Sequence, residues 1–357
     1  MKKAIRRIIG DRCYGHLLYS RHYRRLMALN KIANRPAEGE REYRARWRQL
    51  YPIVEPYSYH LFSHFCGATA DIIPEDILHY EIEHKLNPPE YWRECEDKNR
   101  FAYYVGEECL PKTVASRSAG GAVDYRMRCF PEATASMPES LILKPAVDTS
   151  CGEGVVKFTR QANGTYLSAE GQQLSEAYLN AYGDDFVLQE CIEQHTVLSH
   201  FCHSSLNTLR LAVYRSLVDG EPHVTAAVLR IGREGSVVDN TVAGGRYVGI
   251  DIESGRTGRW AFTPEGCPTN NWNGIDLNEE VTVPSWERVK ELALYVASRI
   301  PHHHLFAMDI AVRADGSPVL IEYNIGGFSP YLYNFTGQTV FGPYTDEVLH
   351  FLVRRLK

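Results

Sequence analysis

The chain has 357 residues, 44% of them hydrophobic and 23% charged, a composition of ordinary globular proteins with room for two or three subdomains. No apolar run approaches the roughly 18–20 residues that cross a bilayer, and Met1-Lys2-Lys3 leads into no apolar signal region, so a membrane span and a secretory leader are not expected. The nine cysteines are scattered, odd in number and without a CxxC pair, which reads as reduced thiols in a cytoplasmic protein.

Charge is uneven. Residues 1–50 carry 14 Lys/Arg against 4 Asp/Glu, so with −5 overall the remainder stands at −15. A basic arm on an acidic body can meet anionic lipid, nucleic acid or the protein's own acidic surface. The arm reads as helical, with Ile5, Ile8, Ile9, Leu17 and Leu18 spaced for one apolar face and Arg24, Arg25 and the arginines of 41–48 on a solvated face. Peripheral membrane contact through 1–50 is the alternative, whereas nucleic-acid binding is not expected because no recognition module follows.

His60 and His64 have helical i,i+4 spacing, but without a third ligand they read as packing or capping residues, as does the His302-His303-His304 run after Pro301. Asn87-Pro88-Pro89 breaks the chain, and a helix carrying Asp97 and Lys98 is expected from about Glu90. Residues 117–140, with several turn signals, read as a connection. Leu141–Pro145 (LILKP) is a short buried strand ending in Lys144. A loop with Gly152 and Gly154 follows, then the strand VVKFT. It is no Walker loop, yet the glycines admit close backbone approach to phosphate and Lys144 supplies a point charge. After a helix over 172–182, FVLQE at 186–190 is a strand running into Ile192, and its end can offer backbone groups to an adenine edge while Ile192 packs on the ring.

Asn207-Thr208 opens a strand holding Arg210 among apolar neighbours, and Arg230 ends a similar one. Such arginines are either buried ion-pair partners or anion clamps. Asp239-Asn240 and Gly244-Gly245 form a polar, glycine-rich loop, which makes Asn207, Asn240, Gly244 and Gly245 the candidate substrate contacts. Pro284 opens a helix with Trp286, Val289, Leu292, Ala293, Val296 and Ile300 on one face, and 344–356 is a final amphipathic helix.

Phe306–Gly327 (FAMDIAVRADGSPVLIEYNIGG) carries the densest information. Asp315-Gly316 supplies the turn of a hairpin, and Glu322 and Asn324 share a face by the two-residue strand period. An antiparallel return brings Asp309 onto that face. The apolar flanks mark a strand buried on both sides, where a carboxylate is costly unless paired or metal-bound. Two carboxylates and an amide oxygen suit Mg²⁺.

The order of these pieces, with LILKP, NTLRL, DNTVAGG and IEYNIGG in combination, resembles the ATP-grasp superfamily of carboxylate–amine ligases over about residues 70–350, and within it the sugar-transfer-associated branch. The resemblance implies an α+β fold in which two α+β subdomains clamp ATP, preceded by a basic helical region. The divisions would be 1–75, a pre-grasp segment 76–140, a small subdomain with the Gly-rich loop 141–193, and a C-terminal subdomain with the metal site 194–357. It implies that Lys98 and Lys144 hold ATP phosphates, Gln189, Glu190 and Ile192 form the adenine hinge, and Asp309, Glu322 and Asn324 hold Mg²⁺, two ions with Mn²⁺ able to substitute. D-alanine-ligase-like members place an arginine two residues before the metal aspartate. Here that position is Ala307, and its catalytic duty would pass to Arg210 or Arg230. The implied reaction is amide formation through an acylphosphate from a small-molecule carboxylate, a sugar acid or amino acid, and an amine, in polysaccharide or related biosynthesis. A phosphotransferase, or an ATP-binding scaffold of a glycan-assembly complex, is the alternative.

Overall fold

The computed structural model describes residues 10–118, 137–147, 153–237, 239 and 244–355, and among these two antiparallel sheets carry the fold. The smaller sheet has the order β1 (Thr113–Arg117), β5 (Phe186–Glu190), β2 (Ser140–Pro145), β3 (Val156–Arg160), β4 (Tyr166–Ser168). The larger runs β10 (Pro268–Thr269), β9 (Thr257–Phe262), β8 (Arg246–Ile250), β7 (Pro222–Ile231), β6 (Leu209–Arg215), β13 (Leu305–Val312), β14 (Pro318–Asn324). A two-stranded ribbon, β11 (Asn271–Trp272) with β12 (Ile275–Asp276), completes the strands. The class is α+β, as expected. The small sheet also takes in β1, from the segment before Leu141, because β1 pairs along β5.

All eight residues of β13 are buried, since both faces of the large sheet are covered. On one face Leu211, Val213, Phe306, Met308 and Ile310 pack with helix Trp286–Arg299, whose buried stripe is Trp286, Val289, Ala293, Val296 and Ala297. On the other, Ala212, Ala226, Ala307 and Tyr214 meet the N-terminal helices, where Tyr23, Leu26, Phe62 and Leu61 enter the same core. The small alanines on that face leave room for large aromatic side chains arriving from a separate layer.

Helix Asp11–Leu29 buries Tyr23, Leu26 and Met27, while Leu17 and Leu18 stay 58% and 50% exposed. The apolar face is therefore not the one that the leucines mark, because the aromatic and methionine side pays the larger area to helix Tyr57–Cys66. Two of the arginines expected on a solvated face are paired: Arg44 with Glu40 at 2.7 Å, and Arg46 with Asp71 at 3.0 Å and Asp346 at 2.8 Å. Arg12, also in the arm, pairs with Asp76 at 2.9 Å and Glu81 at 3.0 Å. The protein's own acidic residues receive this part of the arm.

The break at Asn87 is a fastener. Its Nδ2 donates to the carbonyls of Leu305 (2.6 Å) and Ile325 (2.7 Å), and its Oδ1 accepts from the amides of His304 (2.9 Å) and Leu305 (3.1 Å). One side chain thus joins the start of β13 to the exit of β14. The helix expected from Glu90 is split into Trp92–Cys95 and Phe101–Val105, and the turn between them presents Lys98, whose amide donates to Ala146 O at 2.8 Å.

Candidate active site

Register explains how the late hairpin meets the arginines. Asp309 lies opposite Glu322 on β14 and opposite Arg210 on β6, and a bulge after Asp309 keeps Glu322 and Asn324 on its face. Asp309 is 2% exposed and accepts from Arg210 Nε and Nη2, both at 2.6 Å, and from Arg230 Nη1 at 3.1 Å. Arg230 also reaches Asp239 at 3.1 Å, and Asp239 accepts from the Thr208 amide at 2.8 Å. Both arginines are thus buried ion-pair partners. Asp239, noted in the sequence only as part of a polar loop, is the counter-charge that spacing could not assign.

Lys98 Nζ stands 3.4 Å from Glu322, and Lys144 Nζ donates to the carbonyl of Ile321 at 3.3 Å. Burial would push the Glu322 carboxyl up, but Lys98, Lys144, Arg210 and Arg230 outweigh it and hold the group at about 2. Lys144 is pulled down to about 8, by burial first and then by the Lys98 charge, with Glu322 and Asp309 offsetting only part. Among the described residues the cluster holds four cationic side chains, Lys98, Lys144, Arg210 and Arg230, and three carboxylates, Asp239, Asp309 and Glu322.

Beside it a cleft of about 430 Å³ is lined by Lys144, Gln189, Glu190, Cys191, Ile192 and Leu206, with Ile142 of β2, Lys157 of β3 and Ile321 of β14 among the further residues. Ile192 packs with Ala311 and Val319. Glu190 accepts from Arg313 Nη2 at 2.8 Å and the Lys112 amide at 3.0 Å, and Gln189 Nε2 donates to Thr113 Oγ1 at 3.3 Å, so both side chains are engaged in joining strands. The backbone is engaged as well, the Glu190 amide donating to Lys112 O and the Cys191 amide to Ser140 O, each at 2.9 Å. Gly154 has φ +84°, and its carbonyl accepts from Tyr182 Oη at 2.6 Å.

Asn207 is not disposed to meet a ligand. It is fully buried, and its Nδ2 donates to Gln194 Oε1, Leu198 O and Cys202 O, each at 3.0 Å, which fastens the loop before β6. The carbonyls of Gly244 and Gly245 accept from Arg246 Nη1 at 3.2 and 3.0 Å. Gly152 and Asn240 lie outside the described residues. Two of the histidines take the packing roles expected, while His64 and His302 are exposed: His60 Nε2 meets Glu40 at 2.9 Å, and buried His303 is held by Pro301 O at 2.6 Å, its pKa lowered to about 4 chiefly by burial.

Among the described residues no group of three or more His, Cys, Asp and Glu side chains is placed to hold a metal ion. A site built from two carboxylates and one amide is of another kind. Glu322 is ionised, Asn324 follows two residues on along the same strand face, and Asp309 offers about four acceptor positions of which the arginines take three. This oxygen donor set fits a divalent cation held mainly by Glu322 and Asn324, with Asp309 contributing one lone pair.

Two antiparallel α+β lobes, with a lysine-ended strand in one and an acidic hairpin in the other, make this an ATP-grasp fold. A family model described as sugar-transfer associated ATP-grasp matches residues 78–331, well over half of the chain, and the chain belongs to that family. Solved structures with a similar fold include an L-amino acid ligase from Bacillus licheniformis (15% identity, 68% of this chain and 46% of that one, TM-score 0.35). The D-cycloserine synthetase DcsG is another (16%, 74% and 71%, 0.41), and so is the VanG D-Ala:D-Ser ligase of Enterococcus faecalis (14%, 72% and 62%, 0.38). The chain spans less than half of the first of these and under two thirds of the third. No curated protein matches.

Proposed function

We propose that this protein is an ATP-dependent carboxylate–amine ligase that forms an amide through an acylphosphate, acting on a sugar acid or amino acid in polysaccharide or related biosynthesis. The observation that carries the reading is the cluster of Lys98, Lys144, Arg210 and Arg230 with Asp239, Asp309 and Glu322, opening beside the cleft at Ile192. ATP and a carboxylate repel one another, and the site's first task is to cancel that repulsion. In this reading adenine lies in the cleft against Ile192, Lys144 and Lys98 take the phosphates, and Arg210 and Arg230 hold the acid for in-line attack on the γ-phosphorus. Glu322, Asn324 and Asp309 would hold Mg²⁺, which when bound supplies charge neutralisation to the phosphate oxygens. The carboxylate oxygen bonds to phosphorus as the bond to ADP breaks. The amine then adds to the acyl carbon, phosphate leaves, and the amine proton passes to water or to the departing phosphate. Fixed cations aimed at a transferring phosphoryl group are typically the largest catalytic contribution, and they work best where water is excluded.

The test is ADP release by the purified chain with Mg²⁺, ATP and a matrix of uronic acids, amino acids and amines, with mass spectrometry of the products. The reading expects sustained turnover only when an acid and an amine are both present, and a product heavier by their condensation. A phosphorylated product independent of any amine would point to phosphotransfer. ATP hydrolysis indifferent to every acid would remove the ligase reading.

A further inference from the structure

One buried polar group in the cluster stands without a partner. Tyr333, in the short helix Tyr331–Asn334, is 1% exposed, and its Oη has no hydrogen-bond partner among the described residues. The ring is well seated, 5.8 Å between centroids from Phe328 and in one core with Ala212, Val228 and Ala307. Burying a hydroxyl unpaired is unfavourable, so a group retained in this state points to a partner that arrives with a ligand. The charged groups that act on the phenol are Arg210, Asp309 and Arg230. Neither guanidinium can accept a hydrogen bond, and the Asp309 oxygens face the two arginines. What the hydroxyl lacks is therefore an acceptor oxygen.

Lys144 lies in the wall of the nucleotide cleft and Lys98 pairs with Glu322, and neither is among the charges acting on Tyr333. The phenol thus belongs with the arginines. We propose that Tyr333 Oη donates a hydrogen bond to a carboxylate oxygen of the acid substrate held by Arg210 and Arg230, and so is a specificity determinant for the acid rather than a nucleotide contact. This rests on the ligase reading. Burial, with the Asp309 charge adding to it, pushes the phenol's pKa up against the two guanidiniums, which keeps the group a donor. Three donors, two of them charged, then converge on one carboxylate, an arrangement that discriminates against an amide or alcohol isostere, which would leave a donor or a charge unanswered.

The experiment is Tyr333→Phe in the full chain, which removes one oxygen and keeps the ring. Thermal unfolding is followed with no ligand, with a non-hydrolysable ATP analogue, and with the analogue plus millimolar glucuronate, galacturonate, glutamate or alanine. The expected result is an unchanged or slightly raised unfolding temperature without ligand, unchanged affinity for the analogue, and at least tenfold weaker binding of whichever acid stabilises the wild type. Equal acid affinity in variant and wild type overturns the assignment. A ligand-free variant that unfolds several degrees earlier overturns it too, since the hydroxyl would then have a partner within the protein. If the analogue stabilises the wild type and no acid adds to it, the ligase reading falls, and the role of Tyr333 with it.

Discussion

At Asp309 a carboxylate 2% exposed meets two guanidiniums, and removing it would leave both buried without their shared counter-charge. Breaking a buried pair from one side costs about 3–5 kcal/mol because of the charge left behind. Asp309→Ala is therefore expected to lose about that much stability in urea unfolding with neither nucleotide nor metal present. An aspartate that served only a cation would leave the ligand-free protein unchanged, so an unaltered urea midpoint would remove Asp309 from its place as the arginines' anchor. Lys144 makes a second prediction, on pH. Its folded pKa, about 8, is below the ordinary lysine range, so the ammonium is fully charged only below that pH and loses its proton as pH rises through it. ADP affinity should decline between pH 7 and pH 9 by up to about tenfold. Lys144→Arg, which does not titrate in this range, should flatten the profile, and a flat wild-type profile would contradict the role given to Lys144. The sequence flagged Asp309 as a carboxylate needing a partner, because its flanks are apolar. It did not name the partner, since which residue of β6 faces Asp309 depends on the register between strands about a hundred positions apart.

Elements were readable where a local rule acted alone. The hairpin β13–β14 was, because alternation and the Asp315-Gly316 turn specify it without help, and Gly316 does take φ +82°. Strand β5 was readable as a short apolar run. Strand β1 was not, since Thr113–Arg117 has little periodicity and gains its strand character from pairing with Phe186–Gln189, about 70 positions later. Nor were β8 to β12, short and separated by turns: β8, β9 and β10 extend the large sheet outward from the edge of β7 in turn, and β11 with β12 make a ribbon of their own. The split around Lys98 escaped notice for a similar reason: the bond from its amide to Ala146 O is a tertiary contact. At the same scale Gly154 gives a direct test. A Cβ there would lie 3.1 Å from Pro145 Cγ and 3.2 Å from Tyr182 Oη, at a φ of +84°. Gly154→Ala should cost about 1–2 kcal/mol from the left-handed backbone alone. It should lower the unfolding temperature accordingly, and a variant as stable as the wild type would show that this turn relaxes freely.

Across the whole molecule, the basic N-terminal helices are a structural layer and not an appendage. Tyr23, Tyr43, Trp47 and Phe62 are all buried at 1% exposure or less in the core that backs β6, β7 and β13. A chain beginning at Gly67 should therefore fail to give a monodisperse species on gel filtration and should bind a hydrophobic dye, whereas a folded, soluble truncation would show that the layer is dispensable. The same layering bears on how the protein is made. The helices leave the ribosome before the alanine-lined sheet face they cover, at Ala212, Ala226 and Ala307, which is translated roughly 190 residues and more after Tyr23, on the order of ten seconds later at ordinary elongation rates. For that interval an aromatic-rich surface waits without its counterpart. Slower elongation should therefore lower the yield of native protein, and co-expression of a nascent-chain chaperone should restore it.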